Sequence, residues 1–519
     1  MLIRCLINTS SCIFFTLILL STFFSVGQAL LGISESNYAG INGVYNNPAN
    51  LADNRLSVGL HVATFDTYIT NDYLTFDAPY SLFSFITNTA SPELKSVRNK
   101  TIFKPEYLTF DESKEKANIL VNSQFRGPSI LFTINDKSAV ALSSRLRAYG
   151  NMNNVDRKIA GILTYGTNRA GLRGPTETVT DITSNVNFFM DISGTYSRVL
   201  LENDEHFIKG GIGMKYLAGY YSNYMKIDDA TYTITPDSPN SVRDNITTFT
   251  LNGSFSNVDE NSFKQFNLSP SWLLGEGALG TGLGFDIGIV YEHRSDYKKY
   301  SYREKGKRKL NPSKNKYDFK IGFSILDIGS IRYNSPPLTS QFPINTSNTV
   351  LSYRDFGKIK GTNDLKERVE RILGPSSSST KSDFTVSLPT NFHLNFDYKL
   401  SENIYLNAVW QQSLVKRSSL GVATTSFVAI APRYESKWLE VSLPISYEEN
   451  LNIGTGIRLG PVFVGSDNII GFFDLGHKKT FDLYMGAYIP IYRKGPKIPN
   501  ACWSEPTSGG FLKKLFHKK

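Results

Sequence analysis

Cysteine is scarce: three in 519 residues, at Cys5, Cys12 and Cys502. The first two leave with an N-terminal leader, so an exported chain of this size keeps one thiol and has no internal disulfide. Long apolar runs are lacking too. Beyond the leader no stretch of about 18 residues is apolar enough for a transmembrane helix. His61, His206, His293, His393, His477 and His517 show neither HExxH nor Cys/His spacing, so a zinc site has no support. No GxSxG nucleophile elbow occurs. Gly275-Glu-Gly-Ala-Leu-Gly280 matches GxGxxG in letters, but an alternating stretch, residues 281–292, follows it where a dinucleotide fold needs a helix. The expectation is a chain without cofactor, metal or enzymatic activity. Catalytic groups scattered over strands escape such motifs.

Basic charge is present but unevenly placed. The formal charge is +10, while residues 294–320 carry +8 and residues 493–519 carry +6. The remainder is slightly acidic, which argues against a nucleic-acid-binding face. The two basic stretches read as solvated loops or, more sharply, as contacts for outer-membrane lipid headgroups and lipopolysaccharide phosphate.

The first 27 residues have the form of a cleaved signal peptide. Arg4 gives a positive start, the run from Cys12 is apolar, and Ser25 and Gly27 stand at −3 and −1 of a cut before Gln28. The apolar run continues past Cys12, which argues against lipidation there. An exported protein without a helix anchor can still span a bilayer as a closed barrel.

From Leu56 the dominant pattern is period two. Leu56, Val58, Leu60 and Val62 alternate with Ser57, Gly59 and His61. The pattern returns at Ile130, Phe132, Ile134, at Leu142 and Leu146 opposite Arg145 and Arg147, and at Phe188, Met190, Ile192, Tyr196. It recurs over residues 212–220, 283–292, 392–410, 439–459 and 481–491. Such segments of about ten residues fit tilted membrane strands. A soluble sandwich alternates as well, so the second face decides. It carries Gly, Asn, Asp, Lys and Arg, which suit a crowded lumen where small residues make room for charged ones. Trp410, Tyr434, Trp438, Tyr447 and Tyr492 sit at strand ends, as in an interfacial girdle. The fold expected is all-β: a transmembrane antiparallel β-barrel of about 14 strands (12–16) over residues 56–492. His61 and His393 would line its lumen.

Inserts interrupt the rhythm at about residues 80–126 and 335–381. The first has helical character near residues 92–99 and 113–121. In the second, Leu365, Val369, Ile372 and Leu373 form one helical stripe, with Asn363 or Asp364 as cap and Gly374-Pro375 as stop. Counting hairpins back from the last strand puts this helix outside the cell. The apolar phase also slips at Asp327-Ile328-Gly329, which marks a β-bulge or kink. It is either structural only or a lateral window in the wall.

Residues 28–55 precede the first strand. Gly40, Gly43, Asn46, Asn47 and Pro48 break regular structure, yet Tyr38, Ile41, Val44, Tyr45 and Leu51 call for burial. A barrel supplies one burial place, its lumen. Asn46, Asn47, Pro48 and Ala49 are the candidates for a fixed turn inside it, as gate or as permanent plug. The tail, residues 493–519, pairs Phe511, Leu512, Leu515 and Phe516 with four lysines. It reads as a disordered terminus or as a short amphipathic helix for a membrane surface or a periplasmic partner.

SNYAGINGVYNNPANLAD, GLGFDIGIVYEH, YDFKIGFSILDIGSIRY, SLPTNFHLNFDYKLSENIYLNAVW and GIRLGPVFVGSDNIIG occur in that order. Together they resemble an uncharacterised outer-membrane barrel family of Bacteroidota, a domain of unknown function, over residues 37–490. That family is similar to long-chain fatty-acid transporter barrels and to barrels serving type IX secretion, which share an Asn-Pro-Ala element near the mature N-terminus. The element here is Asn47-Pro48-Ala49. The resemblance implies a Gram-negative outer-membrane barrel with an N-terminal lumenal segment, and carries over no substrate. The leading expectation is passive transport of a small hydrophobic ligand through a partly plugged lumen. The competing one is a non-transporting structural or adaptor barrel for surface assembly or protein secretion.

Overall fold

The computed structural model describes residues 30–496, apart from residues 112, 166–171, 239–240, 242, 266–270, 272–274, 305, 353–354, 356–358, 375–379, 417–419, 449 and 473–478. The leader and most of the basic tail lie outside the described residues.

The alternating segments are strands. In chain order they are β1 (Leu56–Asn71), β2 (Lys116–Arg126, continued by Ser129–Thr133), β3 (Ser138–Asp156), β4 (Glu177–Asn203) and β5 (His206–Pro236). Next come β6 (Asp244–Val258), β7 (Gly280–His293), β8 (Phe319–Asn334), β9 (Thr339–Leu351) and β10 (Asp383–Ser387 with Asn391–Lys399). The last are β11 (Ile404–Ser413), β12 (Phe427–Glu435), β13 (Leu439–Ser442 with Ile445–Tyr447), β14 (Leu451–Ile453 with Thr455–Leu459), β15 (Val462–Ser466) and β16 (Thr480–Tyr492).

Fourteen of them close an antiparallel barrel, as the alternation predicts, with β16 pairing back onto β1 from Leu56↔Tyr492 to Thr70↔Thr480. The ring omits β6 and β9. β5 is long enough to serve two neighbours: its first half pairs with β7 and its second with β6, which in turn pairs with β9.

The outer face is apolar and uncovered. Leu60, Val62, Phe132, Leu142, Ile212, Leu283, Ile287, Ile289 and Ile489 are all exposed, joined by Trp410, Trp438 and Tyr447. In water such a belt would be far too large an apolar patch; in a bilayer it is the lipid-facing band of a barrel. Phe188 and Met190 depart from this pattern, because Ala278, just before β7, packs with them and they are buried.

Both termini lie at one end of the barrel, since β1 begins where β16 finishes. The turns at that end are tight, at residues 134–137, 204–205, 400–403, 436–438 and 460–461. The longer connections lie at the other end. Short periplasmic turns and long outer loops are the usual arrangement of such barrels. An exception is the segment 294–318, a long excursion at the termini-bearing end, with a hairpin of Ser301–Glu304 against Lys307–Leu310.

The inserts differ in detail from the sequence reading. Residues 113–121 are not helical; most of them belong to β2, where pairing with β1 and β3 outweighs local helix preference. Residues 92–99 hold one 3-10 turn, Pro92–Leu94. Much of the second insert is β9, and the helix Thr362–Leu373 follows at the end opposite the termini. Its N-cap is Gly361 rather than Asn363 or Asp364. Asn363 instead accepts from the Glu260 amide and donates to Asp259. Gly374 ends the helix as expected, and Pro375 lies outside the described residues.

Candidate functional site

Residues 30–55 run through the barrel interior. Ile41, Val44 and Leu51 are buried against Leu131, Ala139 and Ala141 on the inward face of β2 and β3. Each such side chain contributes roughly 1.5–3 kcal/mol of burial, enough to hold a segment whose Gly, Asn and Pro content would otherwise leave it loose.

The Asn47-Pro48 turn rests on a glycine-lined wall. Asn47 Oδ1 accepts from the Ala49 amide at 2.9 Å, which caps the 3-10 turn Pro48–Leu51. Its Nδ2 donates to the carbonyls of Ile289 (3.2 Å) and Phe323 (3.1 Å), on the neighbouring strands β7 and β8. A Cβ on Gly211 would stand 2.4 Å from the Pro48 carbonyl carbon, and one on Gly288 2.2 Å from Asn47 Oδ1. Glycine stands at 211 because the Pro48-Ala49 backbone approaches the wall there, and at 288 because the Asn47 and Pro48 side chains do. Nearby, Ser324 Oγ donates to Asn46 O, and Asn46 Nδ2 donates to Glu35. Ser197 Oγ donates to Ala49 O at 3.2 Å. The four candidate residues therefore form one contact with β4, β5, β7 and β8.

Carboxylates within this segment meet cations and amides of the wall. Asn395 donates to Glu35, and His393 Nε2 stands 3.3 Å from Glu35 Oε1 without the alignment of a hydrogen bond. Asp53 pairs with Arg294 at 2.7 Å and Lys316 at 2.9 Å. Burial opposes ionisation of Asp53, but Lys316 and then Arg294 outweigh it and hold the carboxyl well below its ordinary value. The segment 294–320 is thus no purely solvated loop, because Arg294, Lys316 and Lys320 turn inward and are buried. It also lies at the termini-bearing end.

The phase slip at Asp327 is a bulge. Phe285 faces Ile328 and Ile287 faces Ile325, so Asp286 alone opposes Leu326 and Asp327. Asp327 has φ +56° and Gly329 φ +155°. A Cβ on Gly329 would stand 2.1 Å from Leu283 O, which explains glycine there. Asp286 Oδ1 accepts the Asp327 amide at 2.8 Å. On the other edge the ladder with β10 stops as well: residues 319–326 pair below the break and residues 330–334 above it. Between them Leu388-Pro389-Thr390 interrupts β10. The wall there is held by the Leu388 amide to Gly329 O at 2.9 Å and Thr390 Oγ1 to Asp327 O at 2.7 Å.

Behind the break sits a neutral buried network. Arg145 and Arg147 pair with Asp191 and Asp327, and Lys215 pairs with Asp286 (2.6 Å) and Asp327. Arg145 and Arg126 both lie 4.7 Å from the Tyr45 ring centre, which ties the network to the N-terminal segment. Toward the long-loop end the interior turns apolar: Tyr149, Phe189, Leu217, Tyr333, Phe384 and Leu388 are packed together and buried. Sequence reading located the bulge and the turn. It missed the carboxylates Glu35 and Asp53 and the glycine cradle; inward Gly at 211, 288 and 322 on consecutive ring strands was the available signal.

Residues 48–467 match the Family of unknown function (DUF5723), and the chain belongs to that family. No curated protein matches it. Among solved structures it is similar to the toluene transporter TbuX of Ralstonia pickettii, with 9% identity, 90% of this chain and 99% of the other covered, and a TM-score of 0.39. It is similar to a FadL homologue of Pseudomonas aeruginosa at 10% identity, 90% and 96% coverage and a TM-score of 0.26. The translocator domain of the autotransporter NalP from Neisseria meningitidis matches at 8% identity, 90% and 100% coverage and a TM-score of 0.30. The closed antiparallel ring and its exposed apolar belt, independently of these matches, make the chain a barrel of outer-membrane type.

Proposed function

We propose that this DUF5723 barrel passes a small hydrophobic molecule across the outer membrane, without enzymatic chemistry, through a lumen gated by residues 30–55. The carrying observation is the apolar interior layer that ends at the wall break. Leu388 belongs to both: its side chain packs with Phe384 and Tyr333, and its amide holds Gly329 where the ladder is lost. An inward apolar layer has no use in a water-filled pore, whereas a hydrophobic solute is stabilised by it. The passage is closed in this conformation, so the N-terminal segment or the break has to move.

A second reading, a sealed structural or adaptor barrel, is favoured by one observation. The polar cleft at the termini-bearing end offers a free volume of only about 60 Å³, whereas ligand pockets span about 300–1,000 Å³. In that reading the tail, residues 493–519, meets a periplasmic partner, which co-purification with and without the tail would reveal. The deciding measurement is uptake of a fluorescent hydrophobic probe into liposomes holding the full barrel or a variant lacking residues 30–55. Faster uptake in the variant, with barrel folding intact by heat-modifiable migration, supports the gated transporter. Absence of flux in both favours the adaptor.

A further inference from the structure

The cleft at the termini-bearing mouth lies between the N-terminal segment and the returning leg of the 294–318 excursion. Arg55, Lys209, Lys314, Lys316 and Lys320 line it, against the carboxylates of Asp53 and Glu292. Those carboxylates are already shared. Asp53 serves Arg294 and Lys316, while Glu292 serves Arg294 and Lys209 (3.3 Å). Lys320 reaches Asp397 only at 3.7 Å, and that carboxylate is held by Arg433 at 2.8 Å. Among the described residues, Lys314 and Arg55 have no carboxylate at ion-pair distance; Lys314 is exposed, and the carboxylate that acts most on Arg55 is Glu435, itself held by Arg433 at 3.2 Å. Arg55 instead stacks 4.4 Å from the Tyr38 ring centre, and its Nε is buried without a hydrogen-bond partner.

Cations held together without enough carboxylates repel one another, and a partly desolvated cleft makes that repulsion costly. A bound oxyanion relieves it by accepting several charge-assisted hydrogen bonds. The free volume of about 60 Å³ suits a group of that size; a single water needs about 10–15 Å³ by the same measure. We infer that this cleft is an anion-binding site that takes one phosphate or carboxylate group, bridging the N-terminal segment through Arg55 and the excursion through Lys314.

The site is separate from the apolar layer, and its occupancy does not depend on what the barrel transports. Equilibrium dialysis of labelled inorganic phosphate against the full folded chain in zwitterionic detergent tests it. One saturable site is expected, weakened tenfold or more in Arg55→Gln/Lys314→Gln, since both lost bonds are charge-assisted; tenfold corresponds to about 1.4 kcal/mol. Lys298→Gln/Arg303→Gln removes the same charge from the exposed part of the excursion and is expected to leave binding unchanged. Heat-modifiable migration checks that each variant is folded. No saturable binding, or equal weakening by both pairs, overturns the proposal. In nanodiscs, competition by phosphatidylglycerol against a phosphatidylcholine control assigns the site to a lipid headgroup, and its failure to compete assigns the site to a soluble anion.

Discussion

Asn47 lies so close to Gly288 that a Cβ on the glycine would stand 2.2 Å from Asn47 Oδ1. The barrel wall and the N-terminal turn are therefore shaped to each other, and neither can gain an atom at this point without displacing the partner. Gly288→Ala is expected to weaken seating of the turn by roughly 1–3 kcal/mol. Gly211→Ala is expected to do more, since its Cβ would meet the Pro48 backbone. Limited proteolysis of residues 30–55 in the folded barrel reads this directly; unchanged protection in both variants would sink the idea.

Asn47 does two jobs that substitution can separate. Asn47→Asp keeps the acceptor that caps Pro48–Leu51 but loses the donor to the Ile289 and Phe323 carbonyls. Asn47→Ala loses both, at a cost of about 1–2 kcal/mol for the cap alone. The expected order of single-channel opening is Ala above wild type, with barrel migration unaltered. An unchanged channel record for Asn47→Ala would show that the turn takes no part in gating.

Asp53 makes the seating pH-dependent. Its ordinary value is 3.8 and the folded value lies lower, because Lys316 and Arg294 outweigh burial. A depressed carboxyl contributes stability that is complete above the unfolded value and is lost as pH falls toward the folded one. The protection factor of the N-terminal segment, with exchange corrected for its intrinsic pH dependence, is thus expected to be flat from neutral pH down to about pH 4 and to fall below it. In Asp53→Asn the contribution from this group disappears; an equally steep acid response in that variant would refute the assignment.

Asp327 balances Arg145, Arg147 and Lys215 behind the wall break. Asp327→Asn tolerates the positive φ but leaves a buried positive excess, with an expected loss of roughly 3–5 kcal/mol. The readout is the urea midpoint of the barrel folded in lipid. Adding Lys215→Met to Asp327→Asn is expected to recover part of the loss, since it restores neutrality. A wild-type midpoint in Asp327→Asn would show that the network carries no such weight.

The membrane barrel was legible because its cause is local. Lipid on one side and a polar lumen on the other impose period two on every strand, and period two is visible in sequence at Leu283, Phe285, Ile287 and Ile289. A bulge shifts that phase by one residue, so Asp327 and Gly329 were legible as well. The apolar content of residues 28–55 called for an enclosure, and the barrel provides it.

Other features depended on which strands become neighbours. Residues 113–121 have helical character in isolation, yet the open ladders of β1 and β3 turn most of them into strand. The basic stretch 294–320 looked solvated because sequence records charge without direction; closure of the ring turns Arg294, Lys316 and Lys320 inward onto Asp53, Glu292 and Asp397. The seat of Asn47-Pro48 is assembled from Gly211, Gly288 and Gly322 on three adjacent strands. Glycine in any one of them reads only as a weak strand position. Periodicity along the chain thus determined the barrel and its two faces, while contact across the closed ring decided what fills it, because long-range pairing alone sets which backbones and charges meet.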